Sequence, residues 1–152
     1  MTPEQIVLRV SGEAAPQGSK TYLGRGRFQE SSKRLRPWRR VVADAAEQAM
    51  TGRPLIDGPV RIDLLFVFAR PASHLNTKGT PNATGRRAPF PYSRGDLDKL
   101  MRAIGDALTH TVYTDDKLIV SAGIDKRWGE PGEGASTTIT VTPIPVPQED
   151  DR

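Results

Sequence analysis

Two carboxylates, Asp96 and Asp98, lie two positions apart in the stretch RGDLDKL, where a helix is predicted to begin. Carboxylate oxygens are ligands that Mg²⁺ prefers, and a bound Mg²⁺ can activate water and stabilise the charge that develops during phosphodiester hydrolysis. Side chains at i and i+2 of a helix point in different directions. The pair therefore converges only if Asp96 is still extended while Asp98 lies in the first turn, and Gly95 permits such a start.

A second interpretation of the pair is purely structural. Asp96 would cap the helix, and Asp98 would interact with the positive end of the helix dipole. Asp115 and Asp116, about twenty residues later, favour a metal site because they add oxygen ligands, although an Asp-Asp pair also suits a polar turn. If the next strand runs antiparallel to the helix, Asp116 at the start of that strand lies near the C-terminal end of the helix. The sequence leaves its distance from Asp96 open.

Two cations accompany the carboxylates on the predicted helix. Arg102 lies four residues after Asp98, and Lys99 lies beside it. Either can stabilise a scissile phosphate electrostatically, or form a surface ion pair worth a few tenths of a kcal/mol. Other chemistries find little support, because His74 and His110 lack metal-ligand spacing and the chain has no cysteine. Phosphate-loop, dinucleotide-binding and Gly-x-Ser-x-Gly motifs do not occur.

Positive charge is concentrated in one segment. The formal net charge is +4 and the isoelectric point about 9.7, yet eight basic residues lie between Lys20 and Arg40 against the single acidic residue Glu30. The C-terminal QEDDR is acidic. This distribution fits a polyanionic partner such as nucleic acid. It fits a solvated basic surface equally well.

The elements that must position these residues form one α+β domain. Hydrophobic periodicity predicts a mixed β-sheet with two helices packed on it, in the order β-α-β-α-β-β. The predicted strands are 6–10, 58–70, 117–128 and 135–144, and the predicted helices are 37–50 and 96–108. Strand 58–70 is apolar on both faces, which predicts a central strand covered on both sides. The segment 15–28 is predicted to be a loop or loose hairpin, and 71–95 a mobile basic loop.

The domain is predicted to cover residues 1–142, followed by an extended or disordered proline-rich acidic tail, 143–152. No apolar run approaches the length of a membrane span, and the N-terminus lacks the features of a signal peptide. We therefore expect a cytoplasmic protein with no membrane partner, in a bacterial cell or a phage-infected host.

The run RGDLDKLMRAIGDALTHTVYTDDKLIVSAGIDK, residues 94–126, resembles the RusA family of Holliday-junction resolvases. The similarity lies in an ordered set of motifs: D-x-D at a helix start, D-A-L at the helix end, and D-D before the next strand. Here they are Asp96-Leu-Asp98, Asp106-Ala-Leu108 and Asp115-Asp116. PQGSK, residues 16–20, is similar to the family's basic N-terminal segment.

This resemblance implies a RusA-like homodimer, a magnesium-dependent endonuclease that makes paired nicks in a four-way DNA junction, with Mn²⁺ as a substitute for Mg²⁺. By motif position, Asp96, Asp98 and Asp116 are the implied metal ligands, with Asp115 beside them. The family usually has a catalytic lysine six residues after the first aspartate, where this chain has Arg102. Arginine keeps the positive charge but does not readily donate a proton. Lys99 is the nearby lysine that can compensate.

A junction-cutting dimer also needs phosphate contacts, whose signature is a steep salt dependence of binding. The candidates are Lys20, Arg25, Arg27, Arg34, Arg39, Arg40, Arg86 and Arg87. Two alternatives remain open from the sequence. One is a non-catalytic nucleic-acid-binding protein whose aspartates are helix caps and turns. The other is a nuclease for flaps or other branched DNA.

Overall fold

A four-stranded mixed sheet is the frame of the molecule. The structure, a computed structural model, describes residues 4–18, 20–25, 27–30 and 33–147, with the backbone alone for 20–23 and 27–30. The sheet contains β1 (Ile6–Ser11), β4 (Val60–Phe68), β5 (Ile119–Trp128) and β6 (Ser136–Pro143), in the spatial order β1-β6-β4-β5. β4 is parallel to β5, and the other neighbours are antiparallel. The predicted α+β class with a mixed sheet is confirmed.

The predicted element order lacks two features of the structure, one of which lies where a loop or loose hairpin was predicted. A two-stranded antiparallel hairpin, β2 (Lys20–Gly24) and β3 (Arg27–Glu30), lies between β1 and the first helix. The reversal uses positive φ angles at Gly24 (86°) and Arg25 (55°), which a turn residue can adopt most easily when it is glycine. A short helix, α2 (Ala83–Arg87), is the second addition. The observed order is therefore β-β-β-α-β-α-α-β-β.

Two longer helices, α1 (Leu35–Ala49) and α3 (Leu97–Leu108), pack against each other and cover one face of the sheet. Each buries one stripe of residues spaced three or four apart, as an amphipathic helix does. The buried residues of α1 are Leu35, Trp38, Val42 and Ala46, and those of α3 include Leu100, Ile104 and Leu108. α1 begins two residues before the predicted start at Pro37, and α3 begins one residue after Asp96.

β4 is central in the sheet, as predicted, but only one of its faces is buried along the whole strand, and on the other face only Val67, near the end, is buried. Ile62, Leu64 and Phe66 are buried beneath the helices. On the other face Arg61, Asp63 and Leu65 are half-buried, and the Arg61 guanidinium lies 3.0 Å from the Asp63 carboxylate. The prediction of cover on both faces is wrong because the ion pair of Arg61 and Asp63 keeps this face polar over most of the strand.

The segment 71–95 contains regular structure that its sequence does not suggest. Besides α2 it holds 3-10 turns at Ala72–His74 and Tyr92–Arg94. The Asn82 side chain caps α2 by accepting a hydrogen bond from Gly85 N (2.9 Å). Trp128 Nε1, at the end of β5, donates to the Ala88 carbonyl (2.8 Å). The segment is thus folded onto the end of the sheet.

The C-terminal strand ends where the predicted tail begins. β6 extends to Pro143, and Ile144 N donates to the Pro59 carbonyl (2.9 Å). Residues 148–152, which include the acidic part of the tail, lie outside the described residues. In the described ranges, no helix combines the length and apolar character needed to cross a membrane.

Candidate active site

The start of α3 has the geometry that a converging D-x-D pair requires. Asp96 is the N-cap residue and is extended, with φ −73° and ψ 146°, while Asp98 lies in the first helical turn. The Asp96 side chain accepts no capping hydrogen bond, and it is 72% exposed. Asp98 is exposed as well. Both carboxylates are therefore available to a ligand, and Asp96 is not used as a side-chain cap.

Gly95 and Lys126 fix the backbone just before this pair. Gly95 has φ 114° and ψ 148°, a region that is essentially restricted to glycine. A Cβ at this position would lie 3.0 Å from the ring of Pro16. Lys126 Nζ, from β5, donates to the Gly95 carbonyl (2.8 Å). These contacts hold Asp96 in its extended conformation.

We expect Gly95→Ala to lower both the stability of the protein and the DNA-cleavage activity that the resemblance implies. The glycine-restricted backbone region costs an alanine about 1–3 kcal/mol, and the added Cβ must displace Pro16. Thermal unfolding checks the stability, and DNA cleavage by the folded fraction checks the activity. Gly58→Ala is the matched control, because a Cβ at Gly58 meets nothing within 4 Å. Equal effects of the two substitutions would contradict this account of Gly95.

The N-terminal segment that carries PQGSK packs against the same helix start. Gln17 N donates to the Lys99 carbonyl (2.9 Å), and Arg39 Nη1 donates to the Gln17 side chain at 3.5 Å. Lys99 Nζ lies 3.8 Å from Asp96 Oδ2. Arg102 is exposed one turn after Asp98 and forms no ion pair with any described residue. Two of the sequence motifs, PQGSK and D-x-D, therefore meet at the beginning of α3.

Asp116 lies at the opposite end of α3. β5 begins at Ile119, directly after the 3-10 turn Asp116–Leu118, and its later residue Lys126 contacts Gly95. The seven residue steps from Ile119 to Lys126 span about 23 Å at the usual strand rise. β5 thus runs antiparallel to α3, the arrangement that the sequence left open.

The Asp115–Asp116 pair has its own electrostatic environment. Asp115 Oδ1 accepts a hydrogen bond from Lys117 N (2.8 Å), which is the main cause of the lowered pKa of Asp115. The pKa of Asp116 is raised by desolvation of its carboxyl group, then by the hydrogen bond and negative charge of Asp115, and then by the charge of Asp106. Asp116 thus sits among negative charges, where a cation would relieve the repulsion.

The acidic residues of one chain therefore form two groups that lie apart from each other. Asp96 and Asp98 lie at the N-terminal end of α3, and Asp116 lies with Asp115 and Asp106 at the C-terminal end. In the part of the chain that the structure describes, no three Asp, Glu, His or Cys side chains are close enough to hold a metal ion. The ligand set implied by the resemblance is not assembled within a single chain.

Sequence reasoning gave no site role to Lys126 or Asp106. Lys126 alternates with Ile124 and Trp128 on β5, and this pattern marks the face that points toward the helices. That the Lys126 ammonium group reaches the Gly95 carbonyl follows only from the direction of β5 relative to α3. Asp106 belongs to the D-A-L motif at the end of α3. Its effect on the pKa of Asp116 depends on the chain reversal after α3.

The predicted phosphate-binding residues differ in whether their side chains already have partners within the protein. Arg40 and Arg87 are exposed and form no ion pair with a described residue, and Arg25 is exposed at the tip of the hairpin. Three others have partners in the protein. Arg34 pairs with Glu13 (2.6 Å), Arg39 lies 4.0 Å from Asp106, and Arg86 Nη1 donates to the Pro81 carbonyl (3.1 Å). The side chains of Lys20 and Arg27 lie outside the described residues.

Comparison with known proteins assigns the chain to a family. The family described as "Endodeoxyribonuclease RusA" matches residues 12–142. A curated relative, "Uncharacterized protein YqaN" of Bacillus subtilis (strain 168), is 29% identical over 76 residues, which are 50% of this chain and 54% of that protein. The chain thus spans about half the length of this relative. The family match covers every acidic residue of the candidate site, and the chain belongs to the RusA family of endodeoxyribonucleases.

Proposed function

We propose that this protein is a divalent-metal-dependent endonuclease that cuts four-way DNA junctions by paired nicks. The observation that carries the proposal is the uncapped, exposed carboxylate of Asp96 beside Asp98 at the start of α3, in a chain of the RusA family. Two exposed carboxylates stand at a helix start where capping would need only one, and the same chain carries a hairpin and a helix rich in basic residues.

The residues at this helix start suit Mg²⁺. Mg²⁺ is usually bound through one or two carboxylates, with water and substrate phosphate oxygens completing its coordination. Asp96 and Asp98 would hold the ion, which when bound supplies a water nucleophile and neutralises charge on the phosphate. Lys126 keeps the backbone before Asp96 extended. Lys99 and Arg102 supply positive charge that favours a phosphate at this end of the helix.

The third implied ligand, Asp116, points to a homodimer. β5 is at the edge of the sheet, and no strand in the described ranges pairs with its outer side. Val120 on this strand is 63% exposed, and Leu97 at the start of α3 is 37% exposed. An unpaired edge with exposed apolar side chains is a surface on which a second copy can pair.

A two-fold axis at this edge would complete the metal site. If two β5 strands pair antiparallel across it, the beginning of each strand lies beside the end of the other. Asp116, which precedes β5, then approaches Asp96 and Asp98 of the partner subunit, which lie near the end of that partner's β5. The dimer has two identical sites, as two symmetric nicks require.

The phosphates of the junction arms need cations on the protein surface. We assign them to the exposed side chains of Arg25, Arg40 and Arg87.

The test of this function is cleavage of synthetic four-way, flap and duplex DNA with Mg²⁺. We expect nicks in two opposing strands of the four-way junction and little cutting of duplex. Preferential cutting of flaps would show that the substrate is another kind of branched DNA and not the four-way junction. Binding without cutting in either Mg²⁺ or Mn²⁺ would show a non-catalytic nucleic-acid-binding protein and overturn the proposal.

A further inference from the structure

An exposed aromatic pair lies on the chain just before the candidate active site. Phe90 is 53% exposed and Tyr92 is 62% exposed, and their ring centroids are 6.3 Å apart with an angle of 58° between the ring planes. Aromatic side chains bury a large area when they find a partner. Two such rings left side by side in solvent are typical of a binding surface.

The two rings are held on a firm support. Pro91 between them is buried, with φ −79° and ψ 63°, and Tyr92 N donates to the Phe90 carbonyl (2.8 Å). These are the angles and the hydrogen bond of an inverse γ-turn. Because the turn buries its central proline, both flanking side chains are directed outward. The Ala88 carbonyl, two residues earlier, is fixed by Trp128 Nε1.

The neighbours of the pair are cations and the acidic helix start. Arg86 and Arg87, at the end of α2, are exposed close to Phe90 in the chain. Tyr92 precedes Asp96 by four residues, so their Cα atoms are separated by at most about 14 Å. Arg94 between them is fixed, because its guanidinium lies 5.7 Å from the centre of the Trp128 ring and 3.6 Å from Glu13.

We propose that Phe90 and Tyr92 stack on nucleobases that lose their stacking partners at the branch point of DNA, and so hold the branch open beside Asp96 and Asp98. This inference rests on the proposed function and specifies how its substrate is held. Rings next to cations are the combination by which proteins bind unstacked bases and their phosphates. Apolar side chains that enter a base step also open it. A protein-binding patch would need a continuous apolar surface, whereas Arg86 and Arg87 lie exposed four and three residues before Phe90 in the chain.

The direct test is fluorescence of 2-aminopurine placed at the branch point of a four-way junction. The measurement uses Asp96→Asn protein, so that cutting does not interfere. We expect fluorescence to rise on binding, because the probe base leaves the DNA stack. The rise should fall sharply when Phe90→Leu and Tyr92→Leu are added, since leucine keeps the apolar bulk and lacks the ring face. Val7→Ala is the matched control, because Val7 is 59% exposed on the far edge strand β1. An unchanged rise in the leucine variant overturns the inference.

Cleavage by otherwise wild-type protein gives an independent readout. Loss of stacking on an aromatic side chain reduces binding by roughly 5- to 150-fold per base. We expect the double leucine variant to lose activity on an intact junction to about that extent. It should cut a junction with unpaired nucleotides at its centre nearly as fast as wild type does, because that branch is already open. Equal losses on both substrates would contradict the role in opening.

These results also separate the inference from the proposed function. If wild type cuts the junction and the leucine variant opens it normally, only the stacking role fails. If wild type neither binds nor cuts any branched DNA, the proposed function itself fails. A change in oligomeric mass with unchanged fluorescence would mean that the rings serve contact between copies, and would also overturn the stacking role.

Discussion

Asp96→Asn is expected to reduce cleavage of a four-way junction by about a thousandfold or more while junction binding and thermal stability stay close to wild type. A metal ion stabilises the developing charge by several kcal/mol, and each 1.4 kcal/mol or so is a factor of ten in rate. The fold should not suffer, because the Asp96 side chain is 72% exposed and forms no cap. Its 3.8 Å contact with Lys99 is a surface ion pair of small value.

The result is checked by single-turnover cleavage with Mg²⁺, gel-shift binding in Ca²⁺ and thermal unfolding. Asp44→Asn is the matched control, because Asp44 is an exposed aspartate on α1, outside the candidate site. It removes the same charge and should leave cleavage unchanged. Cleavage at the wild-type rate by Asp96→Asn would show that the D-x-D pair is only a helix start.

Local pattern predicted the helix and strands that matter most for the site. The apolar stripe of α3 placed Asp96 at its beginning, and Gly95 marked the change of backbone conformation. The apolar stripe and the glycine are local signals, on which propensity and periodicity act directly. The position of the D-x-D pair at a helix start could therefore be predicted without knowledge of the fold, whereas the contacts of Pro16 and Lys126 that hold its backbone could not.

The position of Asp116 could not be predicted in the same way. It depends on the direction of β5 relative to α3, and that direction is fixed by pairing of β5 with β4, more than fifty residues earlier in the chain. The hydrogen bond from Lys126 to Gly95 has the same origin. Such contacts are decided by sheet topology, which one sequence constrains only weakly.

The segment 71–95 shows a different limit. Its prolines, glycines and polar residues suggest irregular structure, yet contacts from outside the segment organise it. Arg70 Nη1 donates to the Gly85 carbonyl (3.0 Å), and Trp128 Nε1 donates to the Ala88 carbonyl. Periodicity cannot reveal these partners, because each lies at the end of a strand of the main sheet. The outward position of Phe90 and Tyr92 depends on them.

Two inactive subunits are expected to restore activity to each other. In the proposed dimer, each metal site takes Asp96 and Asp98 from one subunit and Asp116 from its partner. A heterodimer of Asp96→Asn and Asp116→Asn subunits then carries both substitutions in one site and none in the other. We expect this heterodimer to nick one strand of a four-way junction, whereas neither homodimer cuts. Subunits with two different affinity tags allow the heterodimer to be purified after co-expression.

A second heterodimer provides the control. Asp96 and Asp98 belong to the same chain's part of the site, so a dimer of Asp96→Asn and Asp98→Asn subunits has one substitution in each site and should stay inactive. If all three aspartates instead met within one chain, both heterodimers would behave alike, with one damaged site per subunit and no recovery. Only a site shared between subunits predicts that cleavage returns in the heterodimer of Asp96→Asn and Asp116→Asn and stays absent in the heterodimer of Asp96→Asn and Asp98→Asn. Cleavage by the Asp116→Asn homodimer would remove Asp116 from the ligand set.

The physical reason for proposing a shared site is the distance between the two ends of α3. The helix has 12 residues and is about 18 Å long, so its own start and end cannot reach one ion. At one end, desolvation and then the hydrogen bond and charge of Asp115 raise the pKa of Asp116. At the other end, Asp96 and Asp98 are both exposed. An antiparallel pair of such helices brings unlike ends together twice. In the proposed dimer, three carboxylates come close together, and their mutual repulsion is relieved when a cation binds between them. We therefore expect Mg²⁺ to strengthen dimerisation of the wild-type protein. The effect should be much smaller in the Asp116→Asn variant.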